Sequence, residues 1–135
     1  AGVMLRLISL LVALACPAAA QERLTGEAFD AFTRGQTFYY GYDEEPYGAE
    51  EYRDDRRVRW SFLNGDCKEG YWYDTPERLI CFVYEDRPDA PQCWAFYNEA
   101  GQLRATFENG AQAAPLYQIE KSDAPMLCTG PQIGV

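Results

Sequence analysis

One stretch constrains this chain more than any other: Leu79–Asn98, reading LICFVYEDRPDAPQCWAFYN. Two runs rich in aromatic and β-branched side chains, Leu79–Tyr84 and Gln92–Tyr97, flank a polar segment, Glu85–Pro91, that carries two prolines. Such runs favour a pleated, half-buried surface, and proline and aspartate favour a turn, so the stretch predicts a β-hairpin. Each run holds one cysteine. A loop near Glu85–Asp89 sets Cys81 opposite Cys93 and Val83 opposite Pro91. A slip of one residue would turn the two sulfurs to opposite faces.

The same rhythm recurs along the chain. Thr37–Tyr42 predicts a first strand, Asp43–Gly48 an acidic loop, and Ala49–Arg53 a short second strand at best. Arg57–Leu63 alternates, with Val58, Trp60 and Phe62 facing a core. Asn64-Gly65-Asp66 has the composition of a hairpin turn. Gly70–Asp74, the opening hairpin, Gln102–Glu108 (Leu103, Ala105 and Phe107 inward) and Pro115–Glu120 complete the series. Ahead of them, Leu24–Gly35 predicts one short helix, capped by Thr25, with Ala28, Phe29 and Phe32 on a shared face. The fold class that follows is mainly β, an antiparallel meander of about eight strands. It must be strongly curved or barrel-like to protect its edges, with the N-terminal helix over an end or an open face.

The first twenty residues differ from the rest. Met4-Leu5-Arg6 leads into the apolar run Leu7–Ala15, and Pro17-Ala18-Ala19-Ala20 offers a small-residue cleavage site before Gln21. This is the pattern of a secretory signal peptide over 1–20, with Ala1-Gly2-Val3 upstream of the start, and it leaves 21–135 as one β-rich domain. Lipidation at Cys16 competes with soluble export, but Ala13 stands where a lipoprotein site usually has leucine. Export implies a periplasmic or secreted location.

Four cysteines then remain: Cys67, Cys81, Cys93 and Cys128. An even count in an exported domain implies a disulfide framework, and no close pair resembles a zinc or thioredoxin site. Pairing Cys81 with Cys93 leaves Cys67 for Cys128, which would tack the patternless tail Lys121–Val135 onto the Asn64-Gly65-Asp66 turn.

Removing Arg6 with the signal peptide leaves 11 basic against 21 acidic residues, a net charge of −10. That balance argues against nucleic acid and against an anionic membrane surface, and no membrane insertion is expected after cleavage. It suits a basic protein partner or simple solubility. The chain contains no histidine. Ser-His-Asp and Cys-His nucleophiles, histidine metal sites and histidine-ligated haem are therefore excluded, and no Gly-rich phosphate loop or EF-hand spacing occurs.

Three constellations could still carry chemistry. The acids Asp43, Glu44, Glu45, Glu50, Glu51, Asp54 and Asp55 would suit calcium or a cationic partner, but they lack calcium-loop periodicity, and Arg53, Arg56, Arg57 and Arg59 lie beside them. A solvated, charged edge is the plainer expectation. The aromatics leave rings on both faces of some strands. Tyr40, Tyr42, Trp60, Trp72, Tyr84 and Trp94 are the candidate binding residues. A carboxylate pair is the third, but no acid sits in an apolar run, and Glu85 with Asp86 is the least poor choice. No cofactor or metal is expected.

Tyr47-Gly48-Ala49-Glu50-Glu51-Tyr52, Arg57-Val58-Arg59-Trp60, Gly70-Tyr71-Trp72-Tyr73, Ile80–Asp86 and Cys93-Trp94 resemble small exported bacterial envelope domains of unknown function. The resemblance spans most of the 21–135 segment. It implies a Gram-negative envelope protein with a β-rich fold and carries no activity across. The functional expectation is a non-enzymatic periplasmic binding or interaction module for a small apolar ligand or a partner. The alternatives are an inhibitor of a basic secreted enzyme, as lysozyme inhibitors are, and a carboxylate-based hydrolase.

Overall fold

A computed structural model describes residues 2–3, 11–15, 21–111 and 113–128. Met4–Leu10 and Cys16–Ala20 lie outside the described residues, and with them the cleavage and lipidation expectations. The eight strands are β1 (Thr37–Tyr42), β2 (Glu45–Tyr52), β3 (Arg57–Ser61), β4 (Lys68–Asp74), β5 (Ile80–Tyr84), β6 (Gln92–Glu99), β7 (Gln102–Phe107) and β8 (Leu116–Ser122). Each pairs antiparallel with the next, and β8 returns to β1, so the meander closes into a barrel. Closure removes the two edges that an open meander would leave to solvent.

Period-two alternation sends Phe38, Tyr40, Tyr52, Val58, Trp72, Ile80, Phe82, Phe96, Leu103, Ala105 and Leu116 into one core. The helix α1 (Gly26–Thr33) sits at the end where β1 begins. Thr25 Oγ1 accepts a hydrogen bond from the Ala28 amide at 3.1 Å, which satisfies one free N–H of the first turn. Phe29 is 0% exposed. Its ring centre lies 4.5 Å from Phe96, 5.1 Å from Trp72 and 5.4 Å from Tyr52. An eight-residue helix is not stable alone, so this plug holds α1 in place as much as α1 delivers the plug. The buried face of α1 is Gly26, Phe29 and Thr33; Ala28 lies on the flank and is exposed, contrary to the sequence expectation.

The two disulfides form with the pairing the sequence implies, Cys81–Cys93 and Cys67–Cys128. Cys81 and Cys93 are register partners across β5 and β6, next to Phe82 and Gln92. After β8 the tail rises along the outside of the barrel. Thr37 Oγ1 donates to the Ala124 carbonyl at 3.0 Å, and Glu51 Oε2 accepts from the Met126 amide at 2.9 Å. Cys128 then meets Cys67 just ahead of β4, at the opposite end from α1. Two disulfides belong to an oxidising, extracytoplasmic compartment. Among the described residues no helix is long and apolar enough to cross a membrane.

Two local expectations need correction. The acidic loop of Asp43–Gly48 shrinks to a two-residue turn, because β2 already begins at Glu45 and pairs it with Tyr42. Asp43 and Glu44 both take positive φ, 45° and 71°. That geometry suits a tight hairpin, but the sequence lacks the Asn-Gly or Asp-Gly that normally signals it. Phe62 does not face the core: β3 ends at Ser61, and Phe62 is 46% exposed.

Candidate ligand pocket at the open end

With α1 at one end, the turns β1–β2, β3–β4, β5–β6 and β7–β8 gather at the other. There the barrel is not filled. A cavity of about 200 Å³ opens between Tyr40, Tyr47, Trp60, Phe62, Tyr84 and Trp94, among other residues. Two glycines allow close approach here. A Cβ on Gly48 would lie 2.2 Å from the Trp60 ring, and one on Gly70 would lie 2.4 Å from the Val83 carbonyl oxygen and 2.9 Å from the Tyr84 ring. A larger side chain at Gly48 would displace Trp60 from the cavity wall, and one at Gly70 would collide with the backbone of β5.

At the lip, Tyr47, Trp60 and Phe62 meet as a triangle with ring centres 5.9, 5.5 and 5.4 Å apart. Tyr47 and Phe62 remain substantially exposed. Lys68 Nζ pairs with Asp86 at 2.7 Å and lies 5.5 Å from the centre of the Phe62 ring. Arg87, on the β5–β6 connection, also borders the opening.

Deeper in the cavity stands one acid. Glu50 is 1% exposed, carried inward between Gly48 and Tyr52 by the alternation of β2. Tyr84 Oη donates to its Oε1 at 2.8 Å. Its Oε2 is buried and has no hydrogen-bond partner among the described residues. Burial pushes the Glu50 carboxyl well above its ordinary value of 4.5, and the Tyr84 hydrogen bond pulls it only partly back. Burial therefore favours the neutral acid over the carboxylate at Glu50, a residue that also lines the cavity. Nearby, the Tyr40 and Tyr52 hydroxyls bond to each other at 2.7 Å. Burial raises both phenols and that of Tyr84, so all three stay protonated at neutral pH.

The structure brings together four of the six aromatic candidates, Tyr40, Trp60, Tyr84 and Trp94. Trp72 stands at the closed end, 2% exposed, between Phe29 and the Arg56 guanidinium, which lies 4.3 Å above its ring. Tyr42 packs on Tyr47 at 5.3 Å and backs the lip rather than lining the cavity. The acidic group separates completely. Asp43 and Glu44 form the β1–β2 turn, Asp54 and Asp55 lie in a 3-10 turn at the closed end, and Glu51 points outward toward Met126. Glu50 alone turns inward, which corrects the expectation that no acid has apolar surroundings. Glu85 and Asp86 are exposed. Among the described residues no second buried carboxyl accompanies Glu50, and no three His, Cys, Asp or Glu side chains are grouped to hold a metal ion.

Sequence reasoning missed Glu50, Tyr47 and Phe62 as pocket residues. A signal for Glu50 existed. It lies two residues before Tyr52 and two after Gly48, and once β2 is extended the three share one face. No protein-family model, curated protein or solved structure matches this chain.

Proposed function

We propose that this protein is a non-enzymatic binding module that takes a small ligand into the open mouth of its barrel. One observation carries this reading: at the mouth, an aromatic-walled cavity of about 200 Å³ is lined by Glu50, whose buried Oε2 has no hydrogen-bond partner among the described residues. Cavities of roughly 150 Å³ accommodate a benzene ring, so the space suits one ring with a short substituent. Ligand sites are typically concave and apolar with few polar groups, and this one has that composition. The signal-peptide pattern of residues 1–20 and the two disulfides support a periplasmic or secreted location, within the group of small envelope domains the chain resembles.

The geometry gives less support to an inhibitor of a basic enzyme, because the acidic Asp43-Glu44 segment is a tight turn rather than a protruding loop. A carboxylate pair lacks its second member.

The three tryptophans make the test selective. Trp60 and Trp94 line the mouth, whereas Trp72 is at the closed end. Titration of the ¹⁵N-labelled protein with indole, 2-phenylethanol and phenethylamine should shift the Trp60 and Trp94 indole signals and leave Trp72 in place. If no fragment moves the mouth signals, or Trp72 moves equally, the reading fails.

A further inference from the structure

Resting on that pocket, we propose that the ligand is a small organic cation, a primary or secondary ammonium on an aromatic or branched apolar body, whose nitrogen docks on Glu50. Three features converge on positive charge. The first is the acceptor: Glu50 lines the cavity, and its Oε2 is buried and free of any partner among the described residues. A buried oxygen left in this state costs free energy unless something enters to meet it. The second is the wall. Faces of tyrosine and tryptophan are electron-rich and attract ammonium groups, and Tyr40, Trp60, Tyr84 and Trp94 surround the space. The third is the disposition of the protein's own cations. Lys68 is engaged with Asp86 at the lip and Arg87 is exposed there, and among the described residues no lysine or arginine is buried beside Glu50.

The chemistry balances simply. In the unliganded pocket burial favours the protonated form of Glu50. When an ammonium group arrives, the carboxylic acid gives its proton to buffer, and the carboxylate then pairs with the ammonium. The ligand arrives charged and stays charged, and the proton that leaves is the one Glu50 held. The groups facing Glu50 do not interfere near neutrality. Tyr40 from β1, Tyr52 from β2 and Tyr84 from β5 all remain protonated, and Lys68, Asp86 and Arg87 are at the solvent edge. A charge-assisted hydrogen bond in a dry site is stronger than its neutral counterpart, so a neutral isostere should bind less well.

Phenethylamine and 2-phenylethanol have the same shape and differ in charge, and together they test this directly. Calorimetry at pH 7 in phosphate and in Tris should show tighter binding of the amine by at least about tenfold, with a net release of protons. In Glu50→Gln, which keeps the size of the side chain and a carbonyl acceptor for Tyr84, the amine preference and the proton release should both disappear. An unchanged Trp72 indole signal verifies that this variant is folded. Equal binding of alcohol and amine, or an amine preference that survives Glu50→Gln, overturns the cation assignment while leaving the pocket intact. Failure of both fragments to bind removes the pocket itself.

Discussion

The two ends of this barrel are built from the same kinds of residue and behave differently. At the closed end, α1 inserts Phe29 among Tyr52, Trp72, Phe82 and Phe96, and every ring has an aromatic partner. At the open end, Tyr47, Trp60, Phe62, Tyr84 and Trp94 line a cavity, and behind them a Glu50 carboxyl oxygen has no partner among the described residues. The contrast teaches that aromatic content by itself does not mark a site. One inserted helix turns a cup of rings into a core, and where no element is inserted the cup stays open. The same contrast divides stability from binding, and it can be broken experimentally from either side.

The largest effect should come from the closed end. Phe29→Ala removes the plug and should lower unfolding free energy by about 3–5 kcal/mol, measured in urea. If the two ends are separate, fragment shifts at Trp60 and Trp94 should persist below the transition. Replacing Cys67 and Cys128 by alanine releases the tail that straps the two ends together. With a sequence separation of 61 residues, the chain-entropy model predicts a loss of about 4 kcal/mol. A loss far below that would mean that Thr37 and Glu51 hold the tail without the bridge.

The next effect is a pH dependence. Below the ordinary glutamate value of 4.5, Glu50 is protonated in folded and unfolded chains alike. As pH rises past 4.5 the unfolded chain ionises while the folded one keeps its proton, so stability falls until the raised folded value is reached. Glu50→Gln should therefore match the parent near pH 4 and exceed it by a growing margin as pH rises above 4.5. Asp74 and Asp86, whose partners Arg56 and Lys68 hold them below the ordinary range, act in the opposite direction at lower pH and are common to both proteins. Thermal unfolding between pH 4 and 9 checks this, and parallel curves would contradict it. Smallest in stability is Trp60→Ala, about 1–2 kcal/mol for a half-buried ring. Fragment binding should nevertheless fall sharply, and its retention would move the site away from the lip triangle.

Most of the architecture was legible in the sequence. The alternation in Arg57–Ser61 and Gln102–Phe107 and the cysteine register at Cys81 and Cys93 specify antiparallel pairing, and the eight-strand rhythm implies curvature. Closure of β8 on β1 was not, because pairing across most of the chain leaves no local pattern. The site was half legible. Tyr40, Trp60, Tyr84 and Trp94 stand out by residue type, but Trp72 has the same chemistry and lies at the other end, a difference that only topology makes. Glu50 was hidden by its neighbours. Surrounded in sequence by Glu45, Glu51, Asp54 and Asp55, it has the composition of a surface charge. The register of β2 against β1 and β3, which pairs Glu50 with Phe38 and Trp60, is what turns this acid inward beside Tyr52.

The central claim is that Glu50 waits in the mouth as a neutral acid and becomes a carboxylate when a cation arrives. A ¹³C titration of the glutamate carboxyl signals, with Glu50 assigned by its absence in Glu50→Gln, measures this directly. The account predicts a midpoint well above 4.5 in the empty protein, falling when phenethylamine saturates the pocket. An ordinary glutamate midpoint that the amine leaves unchanged would contradict it.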